Sequence, residues 1–476
     1  EEYGATGDHK EAVRRSTLRM APVMLTAGLV ASASFASLVT FHLKTFQAFG
    51  LLTAFGIVSA VILELSFIPA VRVVIKPGAP PVKAKSLSST DRSLSALGGF
   101  VLSGRNTIIA IGIVFIVISS AGASLVHVNN SLKGQFFEKT ELRQSDQAIN
   151  AAFGGTSTFY ILVDGNSPDR LKDPAVMAGI EGLQKKLESV SGVGKTQSYV
   201  DYLKKMNSSL HAGDPAWEKI PETRQAAAEY LLLYTMSGNP ADFNRLVDYN
   251  YQKAVVWVFL KSDSTALAEQ LIQVVNDYKK SGHFASDLTV GVAGSSPVTV
   301  ALNETMVEGK KYNILQISAL TFVISSLVFR SFLGGLLVVI PLLLSVLINF
   351  GFMGFSGLAL GIGTATISAM SVGIGADYAI YFLFRFREEY QKSGEVDLAL
   401  RTTMTTAGKS ILFVALAISA GCATLIFPGY YLHTEGILVP LAMLTSSVGA
   451  ITLLPALTAW LRPKFVFGGK VKSGSK

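Results

Sequence analysis

Cysteine is all but absent: Cys422 is the one thiol in 476 residues, so no intrachain disulfide can form. Charge is scarce too. Lys, Arg, Asp and Glu make up 16% of the chain, against roughly 25% in an average soluble domain. The six histidines, including His42, His211, His283 and His433, form no metal-ligand spacing, so no metal or other cofactor is expected. No Walker A pattern is present, which argues against direct ATP drive. Gly361-Ile362-Gly363 lies in an apolar stretch and is no phosphate loop. No serine-histidine-acid set stands out, which leaves an enzyme as the weakest class.

What the chain does have is long apolar runs. Eight are expected to span a bilayer: Ala21 to Phe41, Phe46 to Ile75, Thr107 to Val126, Ile314 to Phe332, Leu336 to Phe355, Gly357 to Phe384, Ile411 to Phe427 and Gly436 to Leu461. Most reach the ~20 residues that cross a hydrocarbon core about 30 Å thick. The expected fold is a polytopic α-helical membrane protein. Cys422 falls within a span and reads as a small packing residue.

Acid is nearly excluded from these runs. Between Gly357 and Phe384 the one acidic residue is Asp377; the other seven spans hold one more, Glu64. A carboxylate is costly in that setting and serves an ion pathway, a proton relay or a buried pair. Asp377 is therefore the first functional candidate.

The net charge of +8 is unevenly placed. From His127 to Lys311 there are 19 Lys+Arg against 21 Asp+Glu. Basic residues cluster before Ala21, between Arg72 and Arg105, from Arg385 to Lys409 and after Leu461. The positive-inside rule then puts both termini in the cytoplasm and the long segment outside. The surplus is a topology signal, and nucleic acid is not expected as a partner.

The chain also repeats itself. Glu1-Glu2-Tyr3 recurs as Glu388-Glu389-Tyr390, a shift of 388 − 1 = 387. At that shift Gly7 meets Gly394, Ala12 meets Ala399, Arg14 meets Arg401, Ser32 meets Ser419 and Leu38 meets Leu425. After a one-residue slip, Pro69-Ala70 meets Pro455-Ala456. Two spans follow each copy, but three spans, an outside segment and another span precede only the second. The expectation is a longer protein, with about 280 residues upstream by the same period and a counterpart of Asp377 just before Glu1.

The outside segment alternates strand and helix patterns. Phe159 to Val163, Lys195 to Val200, Ala254 to Leu260 and Leu288 to Val292 read as strands. Val176, Ile180, Leu183, Leu187 and Val190 share one helical face, and Ala266 to Tyr278 is a second helix. Two such units suggest an α+β split β-α-β (ferredoxin-like) fold, with a more helical insertion from Tyr202 to Asn250. A helix opening near Pro297 is expected to run into the span at Ile314.

This order of spans, together with Gly373-Ile374-Gly375-Ala376-Asp377-Tyr378, resembles the resistance-nodulation-division (RND) superfamily, and within it the MMPL-type lipid exporters with their Gly-x-Asp-Tyr motif. The resemblance covers essentially the whole chain. It implies twelve spans in the parent protein, of which residues 1–76 hold the last two of the first half. Residues 77–104 would be a cytoplasmic linker, 105–126 the first span of the second half, 127–311 a periplasmic porter-like domain, 312–462 a five-span bundle and 463–476 a basic tail. It further implies proton-driven export of hydrophobic or lipid-like molecules from a bacterial inner membrane, with protons, lipid and membrane as partners, and leaves a homo-oligomer open. Two alternatives share the fold: a non-transporting sterol or lipid sensor, and a protein-translocation accessory subunit.

The resemblance makes Asp377 and Tyr378 a proton-relay pair. Gly373 and Gly375 would let helices approach closely around it. Ser32 and Ser419, at matching repeat positions, either carry relay hydrogen bonds or satisfy helix carbonyls. Glu64 meets Ala450 in the repeat (64 + 386); it either belongs to an ion or substrate path or pairs with Arg72.

Overall fold

The computed structural model describes residues 2–75, 88–237, 243–427 and 433–468. The chain divides into two units, Glu1–His127 with Thr305–Lys476, and Val128–Glu304.

The first unit is helical. It opens with α1 (Glu2–Thr6), α2 (His9–Ala36), α3 (Lys44–Val74), α4 (Ser89–Ser103) and α5 (Arg105–Ala123). Among the described residues, seven helical stretches are long and apolar enough to cross a membrane: His9–Thr40, Lys44–Val74, Arg105–Ala123, Ser295–Phe329, Phe332–Ser356, Val396–Ile426 and His433–Leu461. The eighth expected span, Gly357 to Phe384, falls on the helix Ile362–Ser393, part of which lies outside the described residues. Its start is later than expected, because Gly357 sits at φ 70° and ends the preceding helix. Of the expected linker 77–104, residues 77–87 lie outside the described residues. The rest is a helix, α4, started by Ser88, whose N–H donates to the Asp91 carboxylate at 3.3 Å. In the expected tail, residues 469–476 likewise lie outside the described residues.

The second unit holds α6 (Glu141–Phe153), β1 (Ser157–Asp164), α7 (Pro174–Glu188), β2 (Val193–Gln197), α8 (Tyr199–Leu210), α9 (Arg224–Ser237), β3 (Lys253–Leu260), α10 (Thr265–Lys280) and β4 (Thr289–Ala293). The sheet order is β2-β3-β1-β4, every neighbouring pair antiparallel. Each crossover helix thus joins two strands that flank a third, the split β-α-β connection. Alternation sets the faces. Phe159, Ile161 and Val163 join Val256 and Val258 beneath Ile180, Leu183 and Leu271 in one core, while Tyr160 and Trp257, opposite each other in the register, stack edge to face on the other side. The second strand ends earlier than expected. Ser198 caps α8 through its hydroxyl and the Asp201 carboxylate, so Tyr199 and Val200 are helical.

The helix α11 (Ser295–Phe329) is continuous, as the sequence suggested, and Arg330 at φ 50° turns the chain into α12 (Phe332–Ser356). Then follow α13 (Ile362–Ser393), α14 (Val396–Thr403), a five-residue π turn (Met404–Gly408), α15 (Lys409–Ala423), α16 (His433–Ile451), α17 (Leu453–Leu461) and α18 (Lys464–Phe467).

The repeat seen in the sequence is a repeat in space. Helix α2 starts at His9 and ends at Ala36; adding 387 gives Val396 and Ala423, the start of α14 and the end of α15. Gly7 (φ 67°) and Gly394 (φ 70°) are the matching left-handed joints. Their N–H groups donate to Tyr3 and Tyr390 carbonyls at 3.0 and 2.8 Å. One long helix, α3, corresponds to the broken pair α16–α17.

Candidate functional site

Asp377 is carried on α13, whose N-terminus is fixed by the Gly361 N–H donating to Thr364 Oγ1 at 2.7 Å. Two glycines let neighbours reach this helix from different sides. A Cβ on Gly373 would lie 3.5 Å from the Phe35 ring of α2. A Cβ on Gly375 would collide with Ser446 Oγ of α16 and come within 2.7 Å of Leu342 of α12. At 100° per residue, Asp377 shares the Gly373 side and Tyr378 leans toward the Gly375 side.

The adjacent pair therefore diverges. Tyr378 is buried and its hydroxyl approaches Met443 Sδ at 3.9 Å rather than a carboxylate. Asp377 Oδ1 is buried with no hydrogen-bond partner among the described residues. Such a group in an apolar bundle is an exception that calls for a role. The other acid of the apolar runs is Glu64, on α3.

Glu64 is exposed and makes no ion pair with Arg72 among the described residues. Both line one cavity of about 770 Å³, together with Arg19, Tyr381, Arg385 and Thr406. Tyr381 is one turn beyond Asp377, so the cavity reaches close to the acid. Around its mouth Arg385 pairs with Glu388 and Glu389 at 3.2 and 3.1 Å and donates to Thr406 Oγ1 at 3.3 Å. Arg19 bridges Glu2 and Glu388, tying α1 and α2 to the end of α13.

Ser32 and Ser419 point elsewhere. Ser32 Oγ donates to the Ala54 carbonyl at 3.3 Å, and Ser419 Oγ to the Pro440 carbonyl at 3.4 Å. The donors are 419 − 32 = 387 apart and the acceptors 440 − 54 = 386 apart, the repeat shift before and after its slip. Each serine stitches its own helical hairpin, and neither reaches Asp377.

The sequence reading missed two features. Glu435, one residue outside the span drawn from Gly436, packs against Gly363 near the start of α13, with Oε2 buried and unpaired among the described residues. Thr406 sits in the π turn, a geometry frequent at functional sites; only the backbone reveals it. No group of three or more metal-ligating side chains occurs among the described residues.

The MMPL family matches residues 1–94 and 138–470. A membrane protein of Methanocaldococcus jannaschii is 24% identical over 366 residues, 72% of this chain and 88% of that one. The trehalose monomycolate exporter MmpL3 of Mycobacterium tuberculosis is 28% identical over 196 residues, 38% of this chain but 20% of the exporter. Among solved structures, the hedgehog release protein Disp of the water bear Hypsibius dujardini superposes with a TM-score of 0.59 at 12% identity, covering 94% of this chain and 59% of that one. That likeness concerns the fold alone. Matched over most of its length, and with its repeated hairpins and apolar helices, the chain is a multi-pass membrane protein that belongs to the MMPL family.

Proposed function

We propose that the protein is part of a proton-driven exporter of hydrophobic or lipid-like molecules from a bacterial inner membrane. The observation that carries this is Asp377: a buried carboxylate oxygen with no hydrogen-bond partner among the described residues, within a glycine-lined crossing of helices. A static structural acid would be hydrogen-bonded. An acid that must take up and release a proton is better left to change partners. One charge crossing 100 mV is worth about 2.3 kcal/mol, enough for a few protons to drive a conformational cycle. Exporters of trehalose monomycolate and of sulfolipid-1 among the relatives support a lipid-like substrate.

In this reading both termini and residues 77–104 are cytoplasmic, and residues 127–311 form a periplasmic porter-like domain. Residues 1–76 are the last two spans of a first half, while 105–126 and 312–462 are the six spans of the second. Asp377 is the titrating group and Tyr378 its support, with Gly373 and Gly375 setting the helix approach and Glu64 tuning Asp377 through the cavity.

The test is efflux of a fluorescent lipid from energised vesicles carrying the protein, with and without a protonophore. Asp377→Asn should abolish the protonophore-sensitive part while leaving membrane insertion intact. Tyr378→Phe should reduce it less, since the titrating group remains. Undiminished protonophore-sensitive efflux in Asp377→Asn would remove Asp377 from the relay.

A further inference from the structure

Buried polar atoms without a partner are not scattered evenly through the helices. Among the described residues, Asn313 Oδ1, Thr321 Oγ1, Ser325 Oγ and Ser326 Oγ on α11 are such atoms, as is Asp377 Oδ1 on α13; Ser326 faces Gly335 of α12 instead. Asn313, Thr321 and Ser325 are at most 1% exposed. Lys310, also buried, lies one turn before Asn313, and buried Ile317 fills the step between Asn313 and Thr321. The series 310, 313, 317, 321 and 325 advances by three or four residues, which is one face of one helix.

Contacts at two levels align that face with Asp377. Asn313 Nδ2 donates to Ser37 Oγ at 3.0 Å, and Ser34 and Phe35, one turn back on α2, flank Gly373. Further along, the Phe329 and Phe384 rings lie 4.9 Å apart. Residue numbers rise together on α11 and α13 between these ties, so the two helices run parallel. Thr321 is eight residues before Phe329 and Asp377 seven before Phe384, each roughly 10–12 Å from the ring pair. Thr321 and Asp377 therefore sit at one level, and Asp377 is on the Phe384 face, nearly two full turns away. Ser446, also unpaired among the described residues, meets Gly375 on the other side of α13 and does not join this column.

We propose that the inward face of α11 holds a file of water that connects Asp377 to the aqueous phase at the Gly361 end of the bundle. A hydroxyl both donates and accepts, and an amide oxygen accepts. A buried water needs two to four such partners, and Asn313, Thr321, Ser325 and Asp377 supply them along the column. A proton entering at the Lys310 end passes by exchange of hydrogen bonds and is taken by the Asp377 carboxylate. The cavity beyond Tyr381 offers it a separate exit. The titratable groups on the helices around Asp377 include Arg19 on α2, Glu64 on α3, Lys310 on α11, Glu435 on α16, and Tyr378, Tyr381 and Arg385 on α13 itself.

The inference rests on reading Asp377 as the titrating acid, but water access can be measured without transport. In a Cys422→Ser background reconstituted in liposomes, single cysteines replace Asn313, Thr321, Val323 or Leu327. The last two are 50% and 71% exposed on the outer face of the same helix. The probe is methanethiosulfonate ethylammonium. Only a thiolate reacts, and a thiolate needs water, so Asn313→Cys and Thr321→Cys should react about tenfold faster than Val323→Cys and Leu327→Cys. Equal or slower reaction at Thr321→Cys overturns the file. Near-isosteric Thr321→Val guards against misfolding: it should keep the thermal midpoint and slow acid-pulse proton uptake about tenfold. Unchanged proton uptake in that variant would also overturn the proposal. Fast labelling at Thr321→Cys in a protein that shows no proton-driven efflux would support the file while sinking the exporter reading.

Discussion

The two helical hairpins of the repeat share their joints and differ in their surroundings. Both begin after a left-handed glycine, and both are stitched by one serine to one carbonyl. Yet 6% of the apolar stretch of α3 is buried, against 56% in α16–α17. In the second hairpin α16 packs against α12 and α13 as well as α15; in the first, α3 packs against α2. The repeat therefore fixes what holds a hairpin together, and the neighbours fix what its outer face must be. Where α16 buries Ala450 at 1% exposure, α3 carries the exposed Glu64 at the equivalent place, 450 − 64 = 386.

Exchange of those two residues should break the comparison most visibly. Ala450→Glu puts a carboxylate into a packed helix interface and should cost more than about 3 kcal/mol. Glu64→Ala should stay within about 0.5 kcal/mol. Denaturation of the purified protein in detergent checks both, and similar values for the two would end the argument from surroundings.

A volume test follows, with a smaller effect. Gly56 and Ala442 are equivalent, 442 − 56 = 386; Ala442 is fully buried, while a Cβ on Gly56 meets no atom within 4 Å among the described residues. Ala442→Leu should destabilise by about 1–3 kcal/mol, and Gly56→Leu should be near neutral.

The shared features should respond alike. Ser32→Ala and Ser419→Ala should each lose about 0.5–1.5 kcal/mol and leave protonophore-sensitive efflux intact. A loss of efflux in either would return that serine to the relay. Smallest and most symmetric are the joints: Gly7→Ala and Gly394→Ala should each cost about 1 kcal/mol, measured as matching shifts in the thermal midpoint.

Much of this was legible in the sequence because it is periodic. Apolar runs gave seven spans, strand alternation gave the sheet, and matched residues gave the repeat to within one residue of slip. Asp377 stood out because an acid in an apolar run is rare. The direction of the serines was not legible, since a hydroxyl beside a relay and one beside a carbonyl look the same in a string. The α11 column was hidden for a different reason: from Asn313 to Ser325 its polar members are separated by mostly apolar residues, so hydropathy averages it away. Ser198 stopped a strand because a capping hydroxyl outweighed the β-prone Tyr199 and Val200. Glu435 was lost to a span boundary drawn one residue late.

Pro69 and Pro455 occupy equivalent positions but meet different fates. A proline inside a helix removes the N–H that would bond the carbonyl four residues back, and its ring presses on that carbonyl. In the second hairpin the chain yields: α16 ends at Ile451, and Pro455 sits in the first turn of α17. In the first, α3 passes through Pro69 unbroken. Pro69 and Leu65, the residue whose carbonyl loses its donor, both line the cavity that holds Glu64. One stretch of that cavity wall therefore lacks a rung of its helical ladder, and Pro69→Ala, which restores an N–H for the Leu65 carbonyl, should stiffen it.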